Sequence, residues 1–375
     1  MKSELLILSA GDVQHLIRTA LNPGELVQCM SQMFEMVSGS EIGEGVTDEH
    51  DRVQQPPRLT TLSPEHATLY MPCRLPEPIF ESSTIHSAIK VVSVPRTGGG
   101  GGIPGTTLVL DEKTGAARAV VNSRALTALR NAAGKFNLNY NCLLALWTLT
   151  SGSVLATRLV GPKSPARLVL FGAGLQIKHH ARLFIQSYPS ITHCTIINRS
   201  LNDRFTELLA DLTIEFPSLR LDGLISSAQN IEPAVRDGDV ICTATSSTQP
   251  LFDSAWIKQG AHVNLIGSYT STMRESDPGL IKRAGRLILV DETKSCLVES
   301  GELIDASITE DELVEIGTLV REGSEAAKAI ERVRQAGDVT VFKSVGVGAQ
   351  DVGVAGLMVE LAEKDGRVGT RVAYD

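Results

Sequence analysis

A chain of 375 residues, 42% hydrophobic and 21% charged, is long enough for two domains with substantial cores. Its 43 acidic and 35 basic side chains give a formal net charge of −8, which argues against nucleic acid or an anionic membrane as the main partner. No apolar run approaches the roughly 20 residues of a membrane span, the opening residues 1–8 are too short for a secretory leader, and the six cysteines lack metal-ligand spacing, so a cytoplasmic, metal-free protein is expected.

Along the chain, residues 11–20 and 25–36 have the spacing of two short amphipathic helices. Residues 39–55 are polar, acidic and glycine-containing, the pattern of a flexible insertion. Strand-like pieces follow at 69–71, 87–94, 106–110 and 117–122, with five consecutive glycines at 98–102 reading as a mobile loop. Strand-rich pieces ahead of an alternating α/β run suggest a separate α+β substrate or dimerisation domain. Within it Lys90 stands out: Ile89, Val91 and Val92 flank it, and a lysine inside an apolar strand requires a partner.

The most informative stretch comes next. An apolar run at 167–171 enters Gly172-Ala173-Gly174-Leu175-Gln176, and the residues after it, through His179, His180 and Phe184, have helical spacing. Glycines let backbone N–H groups approach a pyrophosphate, and a helix N-terminus supplies favourable partial positive charge. Ile177 stands where the usual fingerprint has its third glycine, so the turn alone is also compatible with a ligand-free strand-to-helix junction. The downstream chain favours a ligand. Strands are expected at 193–198, 239–243, 262–267 and 286–291, with helices at 202–211, 231–236 and 277–284. That alternation implies a parallel sheet with ligands at the carboxyl ends of its strands, and a dinucleotide fold over about 160–340. The second strand ends in Asn198-Arg199-Ser200, where an NAD site would place a carboxylate on the ribose 2′-hydroxyl. Asn198 removes the repulsion of a 2′-phosphate, Arg199 can pair with it and Ser200 can donate to it. NADPH is therefore expected in preference to NADH.

Taken together, the motifs resemble the ornithine cyclodeaminase/mu-crystallin family. They are Arg58 with Met71-Pro72, Lys90 followed by Pro95, and Leu126-Thr127-Ala128-Leu129-Arg130-Asn131-Ala132-Ala133. The glycine turn with His180, Thr243-Ala244-Thr245-Ser246 and Gly260-Ala261-His262-Val263-Asn264-Leu265-Ile266-Gly267 follow, then Phe342-Lys343-Ser344-Val345-Gly346 with Asp351. The resemblance implies a Rossmann NAD(P)-binding domain at 158–342 and an α+β substrate and dimerisation domain from 1–157 and 343–375, assembled as a homodimer. It implies cofactor contacts from Gly172 to Gln176, at Asn198, Arg199 and Ser200, from Thr243, Ala244, Thr245 and Ser246, and from Ile266, Gly267 and Val345. It also implies that Arg58, Lys90 and Arg130 hold a substrate carboxylate, a task suited to charge-assisted pairing.

Position 269 separates branches of the family. Cyclodeaminases place an aspartate there, whereas this chain has Tyr269, a poor base near neutrality because its ordinary pKa is about 10. The resemblance therefore points to a ketimine reductase that transfers hydride to the C=N carbon of a small cyclic or N-substituted 2-carboxy imine, with Lys90 and Tyr269 as candidate catalytic groups. The alternatives are an ornithine cyclodeaminase or amino-acid dehydrogenase, and a catalytically silent NADPH-dependent ligand-binding protein. Residues 135–152 depart from the family pattern. They split a helix that would otherwise join Gly134 to Ser153, and Gly134-Lys135 is encodable by GGT-AAG, a splice-donor-like sequence. The segment reads as a retained short intron or as a genuine apolar insertion beside Arg130.

Overall fold

Buried and half-buried residues alternate with period two over 69–74, 87–90, 107–110 and 118–122, whereas 168–171, 194–197, 240–243, 262–265, 288–290 and 340–343 are continuously buried. The computed structural model describes residues 4–21, 29, 32–38, 52–77, 85–96, 104–123, 152–320 and 323–374. The chain divides into two compact units, 1–149 with 347–375, and 150–346.

The first unit is built on a seven-stranded sheet. Its strands are β1 (Glu4–Leu8), β2 (Leu59–Leu62), β3 (His66–Arg74), β4 (Ser87–Pro95), β5 (Gly105–Leu110), β6 (Ala117–Asn122) and, from the end of the chain, β15 (Thr370–Ala373), in the order β15-β1-β6-β5-β4-β3-β2. The β1–β6 pair is parallel and the others are antiparallel. One face buries Met71, Cys73, Ala88, Lys90, Thr107, Val109, Ala119 and Val121. Against it lies the helix Gly348–Asp365, buried from Gly348 through Ala362. Small residues, among them Gly348, Ala349, Gly353, Ala355 and Gly356, let this helix be enclosed on every side. The opposite face carries the register-aligned row Pro72, Ile89, Leu108, Val120 and Ile7, all partly exposed. The N-terminal helix runs Ala10–Thr19, capped by Ser9 and Asp12 in a reciprocal capping box. Residues 29 and 32–38 are helical, two residues beyond the expected end of the second helix. The glycine run at 98–102 and most of 39–55 lie outside the described residues.

The second unit is an eight-stranded parallel sheet: β7 (Arg167–Phe171), β8 (His193–Asn198), β9 (Arg220–Ile225), β10 (Val240–Thr243), β11 (His262–Leu265), β12 (Ile288–Val290), β13 (Leu313–Glu315) and β14 (Thr340–Lys343). The order is β13-β12-β14-β11-β10-β7-β8-β9. The chain lays β8 and β9 on one side of β7 and then crosses to β10 on the other, so the topological switch falls between β7 and β10. Two apolar clusters flank the sheet, one including Ile177, Phe184, Phe205 and Leu212, the other Val235, Phe252, Leu280 and Ile281. This is the Rossmann arrangement.

Several expectations shift. The strand expected at 262–267 stops at Leu265, because Ile266 and Gly267 turn into a loop at the strand's carboxyl end. The unit division falls at 149/150 and 346/347 instead of 157/158 and 342/343. The helix Gly152–Val160 packs on β11, β14 and the helix Ser324–Gln335, and Thr157 Oγ1 accepts from Asn264 Nδ2 at 3.3 Å. At the other end, Asp291 holds residues 344–346 to the second unit.

Candidate active site

The turn after β7 shows what each glycine is for. Gly172 has φ +117°, and a Cβ there would press on the Ala244 carbonyl and Ile177, so only glycine suits the backbone. Gly174 has φ −81° and ψ 175°, which any residue adopts, and a Cβ there would meet nothing within 4 Å. Its missing side chain therefore leaves open space in front of the helix Leu175–Ser187, whose N-cap offers no side-chain hydrogen bond. Open space in front of a helix N-terminus fits a pyrophosphate. His180 fixes the helix. Its Nδ1–H donates to the Gln176 carbonyl at 2.8 Å, so Nε2 accepts from Ser153 Oγ at 3.0 Å, and burial takes its pKa down to about 4.

At the end of β8, Asn198 Nδ2 donates to the Ser200 carbonyl at 2.7 Å and Ser227 Oγ donates to the Arg199 carbonyl at 2.7 Å. The backbone of this turn is thus braced while the Arg199 and Ser200 side chains are exposed. Asn202 caps the next helix through Phe205 N–H at 3.1 Å.

The loops after β10 and β11 meet at a buried carboxylate. Glu275 Oε1 accepts from Thr245 N–H at 2.6 Å and Thr245 Oγ1 at 2.8 Å, while Oε2 accepts from Thr243 Oγ1 and Gly267 N–H, both at 2.7 Å. Burial pushes the Glu275 carboxyl up; nearby Lys343 and these donors oppose that shift. Each carboxyl oxygen thus takes one backbone N–H and one threonine hydroxyl. Lys343, fully buried, donates to the Ser268 carbonyl at 2.6 Å and the Leu265 carbonyl at 3.3 Å and lies 3.6 Å from Glu302, which accepts from Ser268 Oγ. The segment leading to half-buried Tyr269 is held from beneath by these charges. Beside it, Asp291 accepts from Ser344 Oγ at 2.6 Å, Gly346 N–H at 2.7 Å and Val345 N–H at 3.4 Å.

In the first unit Lys90 lies on β4, between Met71 and Thr107 in register. It is 1% exposed, and its Nζ donates to Asp351 Oδ1 at 3.0 Å across 261 residues of sequence. Asp351 sits in the first turn of the helix Gly348–Asp365, where negative charge is favoured. Gln55 accepts from Ala349 N–H at 2.9 Å at the same helix start. Arg58, half-buried, immediately precedes β2, two strands from β4. Arg130 and residues 135–151 lie outside the described residues. The sequence analysis assigned no role to Glu275, Asp291 or Glu302. Glu275 and Glu302 stand in polar stretches that read as ordinary solvated surface, Asp291 closes the strand expected at 286–291, and only the fold brings donors to them.

The ornithine cyclodeaminase/mu-crystallin family model matches residues 138–366, more than half of the chain. The chain belongs to this family. Among its relatives, the Delta(1)-pyrroline-2-carboxylate reductase of Colwellia psychrerythraea is 29% identical over 57% of this chain and 65% of its own length, somewhat under two thirds. The ketimine reductase mu-crystallin of Mus musculus is 27% identical over 68% of each chain. The fold matches the Thermococcus litoralis Delta(1)-pyrroline-2-carboxylate reductase in complex with NADH and L-proline, at TM-score 0.74 and 22% identity, over 98% of this chain and all of that one. It equally matches an archaeal alanine dehydrogenase dimer with bound NAD, at TM-score 0.74 and 18% identity, over 99% of this chain and all of that one. Among the described residues no helix is long and apolar enough to cross a membrane, and no group of three or more His, Cys, Asp or Glu side chains gathers as for a metal.

Proposed function

We propose that this family member is an NADPH-dependent reductase of small cyclic or N-substituted 2-carboxy imines. The observation that carries the proposal is the open, side-chain-free space at Gly174, at the carboxyl end of β7 beside the topological switch of a parallel sheet. It is the fit expected for the pyrophosphate of a nicotinamide dinucleotide, which when bound supplies the hydride. Arg199 and Ser200, exposed on a braced turn where no carboxylate stands, support the 2′-phosphate form. In the first unit, Lys90 and Arg58 supply cations for the substrate carboxylate, with Arg130 as the third. Lys90, held by Asp351, keeps its ammonium in one position and can return a proton to the substrate nitrogen. Tyr269, in place of the cyclodeaminase aspartate, supports reduction over ammonia release. The reductase names of the relatives point the same way.

The proposal includes a homodimer formed through the first unit. The partly exposed row Ile7, Val120, Leu108, Ile89 and Pro72 gives its sheet an apolar face that a second copy would cover. A reducing, cytoplasmic setting is supported by five free, buried cysteines among the described residues. The test is NADPH oxidation by purified protein with Δ1-piperideine-2-carboxylate and Δ1-pyrroline-2-carboxylate, with NADH and ornithine as controls, for the full chain and for a chain lacking 135–152. Imine reduction with NADPH is expected. Conversion of ornithine to proline and ammonia without imine reduction would overturn the proposal.

A further inference from the structure

We infer that Glu275 is a positioning residue that sets the spacing of the two loops at the carboxyl ends of β10 and β11. The inference rests on the reading that this crevice receives the nicotinamide nucleotide, and it concerns Glu275, to which that reading gives no role. Glu275 is fully buried, and so is Thr243. Its carboxylate takes two donors on each oxygen, and the donors come from both strand ends: Thr243 closing β10 with Thr245 in the loop after it, and Gly267 after β11. Its backbone is anchored to the first loop's continuation, through Leu251 N–H to the Glu275 carbonyl at 3.0 Å and Arg274 N–H to the Ser247 carbonyl at 2.9 Å. The loops are also in direct contact, since a Cβ on Gly267 would overlap the Thr245 backbone and Glu275 Oε1. A carboxylate so held leaves each loop one position relative to the other. Loops that would bear on a nicotinamide ring are thereby preset before ligand arrives.

The arrangement makes the isosteric variant informative. Each oxygen holds one backbone N–H, Thr245 on Oε1 and Gly267 on Oε2. Hydroxyl donors can rotate away from an amide NH2, but backbone N–H groups cannot. In Glu275→Gln, either orientation of the amide therefore sets its NH2 against an N–H, and one loop must withdraw. Glu275→Asp keeps the charge but is one methylene too short to reach both loops.

Hydrogen exchange of the ligand-free protein, followed by mass spectrometry, tests the geometry, and steady-state kinetics tests its use. In both variants, peptides covering 243–247 and 265–269 should exchange at least tenfold faster. Peptides of the helix Ser324–Gln335 should not change. With the imine substrate and NADPH, kcat should fall at least tenfold. The primary deuterium isotope effect from 4-deuterated NADPH should rise, because misplacement slows hydride transfer specifically. Unchanged exchange in both loops overturns the inference whether or not the protein binds NADPH. Faster exchange with unaltered kcat and isotope effect also overturns it, leaving Glu275 a purely structural residue. Absence of NADPH turnover by the wild type, with the exchange result as expected, would instead refute the reductase reading.

Discussion

Replacing Lys90 by Met separates what the buried ion pair does for the fold from what the lysine does for the substrate. Lys90 and Asp351 have side chains 1% and 4% exposed and meet at 3.0 Å. Both ions have lost their hydration, so the pairing offsets charge that water no longer screens. Met fills much of the lysine volume and takes the ammonium away from the buried Asp351 carboxylate. Breaking such a pair from one side costs about 3–5 kcal/mol. At about 2–4 °C per kcal/mol for a domain of this size, the melting temperature should fall by roughly 6–20 °C. Asp351→Asn should cost a similar amount. The double variant should cost far less than the sum, with a coupling energy of about 2 kcal/mol or more, because the second change removes the buried carboxylate charge. Urea denaturation followed by far-UV circular dichroism measures all three. A loss below about 1 kcal/mol for Lys90→Met, or single losses that simply add in the double variant, would refute the ion-pair argument. Assayed well below its midpoint, Lys90→Met should also lose at least tenfold in imine turnover. Normal turnover by the folded variant would remove Lys90 from the proposed mechanism while leaving the stability argument intact.

Other consequences follow from single positions. Gly267→Ala should destabilise by about 1–3 kcal/mol or more, since its methyl group would overlap backbone that cannot retreat; an unaltered denaturation midpoint would contradict the close contact. Gly174→Ala should leave that midpoint unchanged yet weaken NADPH binding tenfold or more, because its Cβ would enter open space that no protein atom uses; unchanged affinity, read by NADPH fluorescence titration, would move the pyrophosphate elsewhere. Burial holds His180 and His262 neutral, with pKa values of about 4 and about 3, below the ordinary value of 6.5. Their contribution to stability is fully present above pH 6.5 and is lost as pH falls toward 4 and 3, because the unfolded chain takes up the protons first. His180 alone accounts for about 3 kcal/mol over that span, so His180→Gln should flatten the decline in urea midpoint between pH 6.5 and 4.5, and an equally steep decline would refute the assignment. Arg199→Asp should invert the coenzyme preference, raising the KM for NADPH at least tenfold and that for NADH little; an equal effect on both would count against a 2′-phosphate contact.

Much of the fold is legible as local pattern. Residues 117–122 and 193–198 are strands with the expected bounds, and the helices expected at 202–211, 231–236 and 277–284 form at Asp203–Glu215, Glu232–Asp237 and Pro278–Arg283. These segments carry their own period, their caps or both, and need no distant information to declare themselves. β1, β2, β9, β13, β14 and β15 escaped notice for the opposite reason. β13 and β14 have only three and four residues, and β2 and β15 are exposed along their whole length, so pairing rather than hydrophobic alternation defines them.

The site divides in the same way. That Gly172-Ala173-Gly174 is a strand-to-helix turn, and that Lys90 needs a partner, follow from neighbours within a few residues. That the partner is Asp351, that Gly172 needs its left-handed backbone while Gly174 does not, and that Glu275, Asp291 and Glu302 are buried holders of loops, only the tertiary structure decides. A buried charge is indistinguishable from a solvated one in sequence, because its stability comes from donors that the chain brings from far away. Periodicity is a property of adjacent residues, whereas compensation of charge is a property of the folded interior.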